Sequence, residues 1–556
     1  MVRAMQASRR GTKRTAKSNE KKESKRSRKS KSSNNESSSN QDLDLSFSNV
    51  HINQLPSHVL GLIFSNLNTI DHLRIEKVCR HWRQVSISHS WNNYETVSFS
   101  QLFQSYPMKQ VTNRHVYILF FNFIKLYRDF NFWISYKKRA SFRRISLVPF
   151  NLLFIIFQIQ IVMKRARHHL KVIDLIGFRL DPKLNYSLCS SLNLVPCVHT
   201  LNLDYLQLTN SSISLIGRYL PKLKHLSVRN SFKHTNMEKG LSKLFSCCQS
   251  LESLCVSENE ILKGDCFENL PKSLKTLNIS CCFRLKPSAI NGIQANCSNL
   301  QTLIMDQMDT LQTQQMNNIF MALKNLTSLH FSECYGTEFY EGQPNLLALG
   351  NLSQLREMHV YDNLLINDAV LRAIGQGCRS LLLLNLSMSN RGVTDTGLRH
   401  IASLRSLNEL RLTGHRALSD NTLIEIINNK KLKVLVLGKC TNISNVSVVM
   451  AIRNCKELKT LDLSYCPNVN QIIFKELDKQ MSTRFGRSTP TSDLKKFNLS
   501  VSRSGIHGCI PQKYSPWIKI IDHYENEGLL GSFSPGLLVA RILHFPHALL
   551  RDLHPV

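Results

Sequence analysis

The sequence predicts an α/β fold: a right-handed solenoid with parallel strands on its concave face and helices on its convex face, preceded by a small all-α unit. Three observations lead there. The pattern L-x-x-L-x-L recurs between residues 170 and 499. Its middle positions from 173 to 461 span 288 residues in eleven steps, about 26 per step, which is a repeat period and not chance. Ahead of the array, residues 55–91 place apolar residues at helical spacing in a stretch too short to hold a sufficient core alone.

The strands open with Leu170/Ile173/Leu175, Val198/Leu201/Leu203, Leu223/Leu226/Val228 and Leu251/Leu254/Val256. The same spacing continues to Leu458/Leu461/Leu463 and, more weakly, Leu494/Phe497/Leu499. Steps of 23 to 29 residues leave room for one strand and one short helix, and segments 369–377 and 396–401 supply such helices. Each unit can bury its strand and helix only against its neighbours, so the array is expected to share one continuous core.

The cysteines follow the same register. Cys248, Cys297, Cys378 and Cys455 lie three before a strand's first leucine; Cys282, Cys334, Cys440 and Cys466 lie three after its last apolar residue. These are expected to be small buried side chains at strand edges, not catalytic thiols. No C-x-x-C occurs, so neither a structural zinc site nor any other metal is expected.

Residues 55–91 read as two helices. Pro56 suits a first turn, and Val59, Leu60, Ile63, Phe64 and Leu67 make one apolar stripe. Asp71 favours the start of a second helix with Ile75, Val78, Cys79, Trp82 and Val85 on one face. Surplus apolar surface on such a pair calls for a partner or for the next domain.

Net charge is +32, from 71 Lys+Arg against 39 Asp+Glu, but it is concentrated. Residues 1–31 hold 13 basic and 2 acidic side chains, and residues 111–160 hold 8 and 1, so 18 of the 32 come from two segments. The basic balance therefore does not argue for a nucleic-acid-binding fold. Residues 1–50 are expected to be disordered, being Ser-, Lys- and Arg-rich with little apolar clustering. Within them Lys13-Arg14, Lys21-Lys22, Lys25-Arg26 and Arg28, Lys29, Lys31 have the look of a bipartite nuclear localisation signal; the alternative is a solubilising tail. No apolar leader precedes them, and sixteen cysteines then read as reduced thiols of nucleus or cytoplasm.

Residues 101–160 form a linker carrying a foreign-looking insert. Its segment 111–160 has 13 of the chain's 44 aromatics and ends in an uncharged run from Ile145 to Met163. A membrane span is one reading, but Pro149, Asn151, Gln158 and Gln160 interrupt it. A partly buried helical insert is another. The preferred reading is translated intron: Gln110-Val111 can be written CAG-GTN, a splice donor, and Phe157-Gln158 TTT-CAG, an acceptor. Residues 111–158 would then be 48 codons, in frame.

Together the helical unit and the repeats resemble the F-box and leucine-rich-repeat family, in its cysteine-containing subclass, over residues 51–110 and about 159–500. The F-box resemblance rests on Leu55-Pro56, Val59-Leu60, Ile63-Phe64, Leu67, Leu73, Val78-Cys79-Arg80, Trp82 and Trp91. The repeats match C-x-x-L-x-x-L-x-L-x-x-C-x-x-[IV]-[ST]-[DN], with departures at residues 335–345 and 461–470. The resemblance implies an α/β right-handed leucine-rich-repeat solenoid over residues 161–500, after a small all-α F-box over residues 51–100. Residues 501–556 are expected to be a weakly structured extension. It also implies that Leu55, Pro56, Val59, Leu60, Ile63, Phe64, Leu67, Leu73, Val78, Cys79 and Trp82 bind a Skp-type adaptor, and through it cullin and RING subunits.

Strand residues between inward leucines are expected on the concave surface: Asn202, Asn278, His330, His359, Asn385, Arg411 and Asp462, extended by Asp204, Arg229, Asp306 and Tyr361. This mixed-charge face suits a protein substrate better than a phosphate backbone. No phosphate loop, H-E-x-x-H or nucleophile elbow occurs, so catalysis and cofactors are not expected. The leading function is a substrate-recognition subunit of an SCF-type ubiquitin ligase. A non-degradative scaffold is the alternative, and a tail-driven nucleic-acid-associated protein is a third reading.

Overall fold

The computed structural model describes residues 52–98, 159–176, 182–232, 236–308, 311–335, 345–428, 431–486, 496–506, 510–511 and 514–521. Readings placed on the basic tail (Lys13 to Lys31), on residues 111–158 and on residues 522–556 lie outside them. The chain divides into two units, Met1–Leu55 and Pro56–Val556; of the first, a 3-10 turn at Ile52–Gln54 is described.

Among the described residues, the second unit is built on one sheet of fifteen parallel strands in chain order. It runs from β1 (Thr96–Ser98) and β2 (Val172–Asp174) through β3 (Thr200–Asn202) to β14 (Phe497–Ser500) and β15 (Ile518–Ile521). Strictly sequential parallel order is what stacked strand–helix repeats produce. The register puts inward leucines side by side: Leu277 faces Leu303, which faces Leu329. All three are fully buried. Helices such as Asn210–Tyr219, Pro287–Asn296 and Asp368–Gly377 lie between strands in the chain and close the other side of the core.

Three devices repeat along the array. From the second repeat on, the backbone turns left-handed two residues past the strand's last apolar position, at Tyr205, Asn230, Glu258, Cys281 and onward to Tyr465, and Arg503 follows Val501 in the same way. Such a φ costs a non-glycine residue about 1 kcal/mol. It persists because the turned N–H reaches the next repeat: Tyr205 N–H donates to the Arg229 carbonyl at 2.8 Å and Lys439 N–H to that of Ser464 at 2.8 Å. Among the described residues, only Gly414 (φ 86°) fills this position at no steric cost.

The second device is the cysteine. All eight register cysteines are buried. The Cys440 and Cys466 thiols donate to the Leu412 and Leu437 carbonyls of the repeats before them, each at 3.1 Å. Burial pushes the Cys248, Cys297, Cys378 and Cys466 thiols up to about 12, far from a nucleophile's range.

The third is a carboxylate spine at the helix N-termini. Asp368 accepts from Thr394 N–H and Oγ1 (2.8 and 2.6 Å), Asp395 from Ser419 N–H and Oγ (both 2.9 Å), and Asp420 from Ser444 N–H and Oγ (2.8 and 2.6 Å). The [ST]-[DN] pair in the repeat pattern is this spine. Its hydroxyl residue reaches back to the preceding repeat, and its acid receives the next one.

Two boundaries move. The array does not stop at 500: β15 pairs with β14 in register from Phe497/Ile518 to Ser500/Ile521, and Trp517 stacks on Phe485 at 4.1 Å. The strand was illegible because Trp517-Ile518-Lys519-Ile520 lacks the leucine spacing, while Ile518 and Trp517 still join the core. At the other end the sheet begins inside the helical segment, since Val97 of β1 pairs with Ile173.

Candidate functional site

The helical segment has three helices, Ser57–Ser65, Thr69–Ile75 and Arg80–Val85, where two were expected. The second expected helix breaks at Cys79, which is extended (φ −156°, ψ 171°); its sulfur accepts the Trp82 N–H at 3.4 Å and starts the third helix. A π-turn at Ser86–Ser90 follows. It lies so close to the first helix that a Cβ on Gly61 would overlap His89, so glycine is required there.

This unit spends part of its apolar set on its own core. Leu60, Phe64 and Trp82 are buried, with the Phe64 and Trp82 rings 5.1 Å apart, and cannot present themselves to a partner. They serve the unit's own core, since three short helices need internal anchors before they can offer a surface. Leu55, Val59, Ile63 and Leu67 are half-buried, and Leu73 leans on the repeat core. Pro56, Val78 and Cys79 are exposed. With Val78 (49 % exposed) stand Leu62 (62 %) and Ile87 (40 %), which helical periodicity alone did not single out.

Below that surface a buried carboxylate ties the unit to the repeats. Glu76 Oε1 accepts from the Trp91 indole at 3.0 Å and from Ser86 Oγ at 3.4 Å; Oε2 faces Arg165 of the 159–165 helix at 3.5 Å. Trp91 is stacked on His72 at 4.6 Å, and His72 Nε2 pairs with Ser90 Oγ at 2.7 Å. Burial pulls His72 down to about 4, so the ring is neutral near pH 7. The Glu95 carbonyl beside β1 accepts the N–H groups of Lys171 and Val172 at 2.8 and 3.0 Å.

On the strand face, several expected contact residues turn out to be structural. Asn202, Asn278, Asn385 and Asp462 each turn Oδ1 onto the N–H two residues ahead, at 2.9–3.1 Å, and the three asparagines are buried. Closely stacked strands leave these short side chains little but that local bond. The [ND]-L-[SD] spacing is the signal that could have shown it. Asp204 is likewise buried, accepting from Ser227 Oγ and Arg229 N–H (2.5 and 2.9 Å) while burial raises its acid. Asp306 takes the Ser332 N–H at 2.7 Å, and burial pushes its carboxyl up to about 6. His330 is buried and stacked on His359, centroids 4.3 Å apart. Burial lowers both imidazoles, His359 to about 4.

Arg229 is partly exposed but paired with Glu258. What stays accessible clusters on β9 (Glu357–His359), β10 (Leu383–Asn385) and β11 (Glu409–Arg411). Arg411 is part-exposed and held by Glu409 at 2.6 Å, with His359 and Tyr361 part-exposed beside Arg356 and Glu357. Leu382 (37 % exposed) and Leu383 put apolar surface among these charges. The run S-L-L-L-L-N-L, with two leucines more than the core needs, marked them in the sequence. Among the described residues, no group of three or more His, Cys, Asp or Glu could hold a metal ion, and no helix is long and apolar enough to cross a membrane.

Comparison with known proteins bears on both parts. The F-box-like family matches residues 52–94. The putative RNA-binding protein EEED8.10 of Caenorhabditis elegans is 22% identical over 52% of this chain and 39% of its own length. F-box/LRR-repeat protein 4 of Bos taurus is 26% identical over 34% of this chain and 31% of its own. The chain thus spans less than half the length of either relative. A yeast structure of Rad7 and Elc1 in complex aligns with a TM-score of 0.40 at 13% identity, covering 68% of this chain and 98% of that one. An F-box-like segment, leucine-spaced parallel strands stacked directly behind it and the bovine relative together support the likeness to F-box and leucine-rich-repeat proteins.

Proposed function

We propose that this chain is the substrate-recognition subunit of an SCF-type ubiquitin ligase. Its helical unit docks a Skp-type adaptor, which brings cullin and RING subunits, while its strand face captures a protein for ubiquitination. The observation that carries the reading is the F-box-like segment in which Leu62, Val78 and Ile87 are left exposed while Leu60, Phe64 and Trp82 pack its core. Exposed apolar side chains on helices are the material of helix-in-groove docking. Capture is assigned to β9–β11, where Leu382 stands as an apolar anchor rimmed by Arg356, Glu357 and Arg411. The chain supplies no chemistry of its own in this reading; it acts by raising the local concentration of target lysines. The basic tail is assigned to nuclear import, giving a nuclear and cytoplasmic protein.

The test is co-purification with a recombinant Skp-type adaptor. Leu62→Asp with Val78→Asp should weaken binding at least about tenfold and leave the melting temperature unchanged. Undiminished binding by that variant sinks the assignment. The name of the worm relative, with the basic tail, motivates a second reading as an RNA-associated protein. It requires binding to a single-stranded RNA probe that falls steeply with salt and vanishes without residues 1–40.

A further inference from the structure

We infer that residues 111–158 are an in-frame insertion into the first repeat, and that the chain without them carries that repeat complete. The sheet register carries the inference. From β2 to the strand at Thr460–Asp462, paired middle residues lie 23 to 29 positions apart, as in Ile173 to Leu201 (28) and Leu254 to Leu277 (23). Val97 and Ile173 are paired in the same way but lie 76 apart. Removing 48 residues brings them to 28, inside the range.

An independent spacing places the boundary. Two repeat helices open on proline, Pro182 nine residues after Ile173 and Pro287 ten after Leu277. Pro107 stands ten after Val97. In the joined sequence Pro107 to Arg165, which ends in the helical residues 159–165, is eleven residues long, beside ten in the helices Asn210–Tyr219, Glu238–Cys247 and Pro287–Asn296. Proline at the first helical position sacrifices no hydrogen bond. Ile159, Val162, Met163 and Ala166 are fully buried, an i, i+3, i+4, i+7 stripe that Met108 extends by one turn in the joined sequence. The candidate splice sequences at Gln110-Val111 and Phe157-Gln158 fall on the same two boundaries. With the insertion gone, the helical unit and the array are consecutive repeats with no linker between them.

This inference does not depend on what the helical unit docks. Its test compares the full chain with two deletions of equal length, residues 111–158 and residues 99–146; the second discards Pro107–Gln110 instead. The probes are the Lys171 and Val172 amides, which donate to the Glu95 carbonyl beside β1. The 111–158 deletion should keep both amides as slow to exchange as in the full chain and melt at the same temperature or above. The 99–146 deletion should lose that protection. Loss of protection in the first chain overturns the inference, and so does equal behaviour of the two.

Discussion

The helical unit and the repeat array satisfy buried polar groups in opposite ways. In the array the work is distributed. Each repeat hands a left-handed N–H, a thiol or a carboxylate to its neighbour, and the same bond recurs a repeat later. In the helical unit it is concentrated: one carboxylate, Glu76, serves Trp91, Ser86 and Arg165, and one ring, His72, fills the gap beneath them. The lesson is that injury to the array should spread by neighbours, while injury to Glu76 should release one region as a whole.

The largest effect is expected from Leu384→Asp. Leu384 is fully buried between Met358 and Leu410, and an unpaired charge there should remove about 5 kcal/mol. Hydrogen exchange should show the flanking repeats opening together while β2–β3 stay protected. Next comes Glu76→Ala, which strands the Trp91 indole and the Arg165 guanidinium and should cost about 3 kcal/mol. Accelerated exchange confined to residues 56–98 and 159–176 would support the contrast; uniform destabilisation of all strands would break it.

Acid separates the regions further. His72 is held at about 4 against 6.5 when free, so its folded form binds fewer protons than the unfolded chain. Its stabilisation is complete above about pH 6.5 and drains as pH falls towards 4, about 3 kcal/mol in all. The array's stacked His330 and His359 act in the same direction. Its spine acids respond later: burial would raise Asp395 and Asp420, but the hydrogen bonds from Ser419, Thr422, Ser444 and Ser447 outweigh it and hold both below the usual 3.8. Their contribution is present above 3.8 and is lost below it. A melting series from pH 7 to pH 3 should therefore lose stability first through the histidines. His72→Phe should flatten the upper part of that curve for the helical unit. The smallest effect belongs to Arg411→Glu, expected to change stability by about 1 kcal/mol or less because its pair with Glu409 is partly solvated.

Much of this was legible beforehand, and the gaps have physical causes. Leucine spacing located every strand from Val172 to Asp462, because a shared core demands the same inward side chain each turn; in the next repeat it set Phe497 in the middle position, where the sheet pairs Leu499 with Leu461. It missed β15, where isoleucine and tryptophan fill that role, and β1, whose Thr96-Val97-Ser98 offers one apolar residue. Helical periodicity found the apolar set of residues 55–91 but could not say which members face inward. Leu60, Phe64 and Trp82 are sorted from Leu62 and Val78 by how three helices pack, a tertiary property. The strand-face asparagines misled for a related reason: alternation assigns a side, while strand stacking decides whether anything on that side stays accessible.

The central claim is that β1 makes the helical unit the first member of the array rather than an appended domain. Native-state hydrogen exchange on the intact chain tests it through Lys171 and Val172, whose acceptor is the Glu95 carbonyl, against Thr200, whose acceptor is the Lys171 carbonyl one repeat further on. Protection of Lys171 and Val172 within about tenfold of Thr200 is the expected result. Free exchange at Lys171 and Val172 with Thr200 still protected would contradict it.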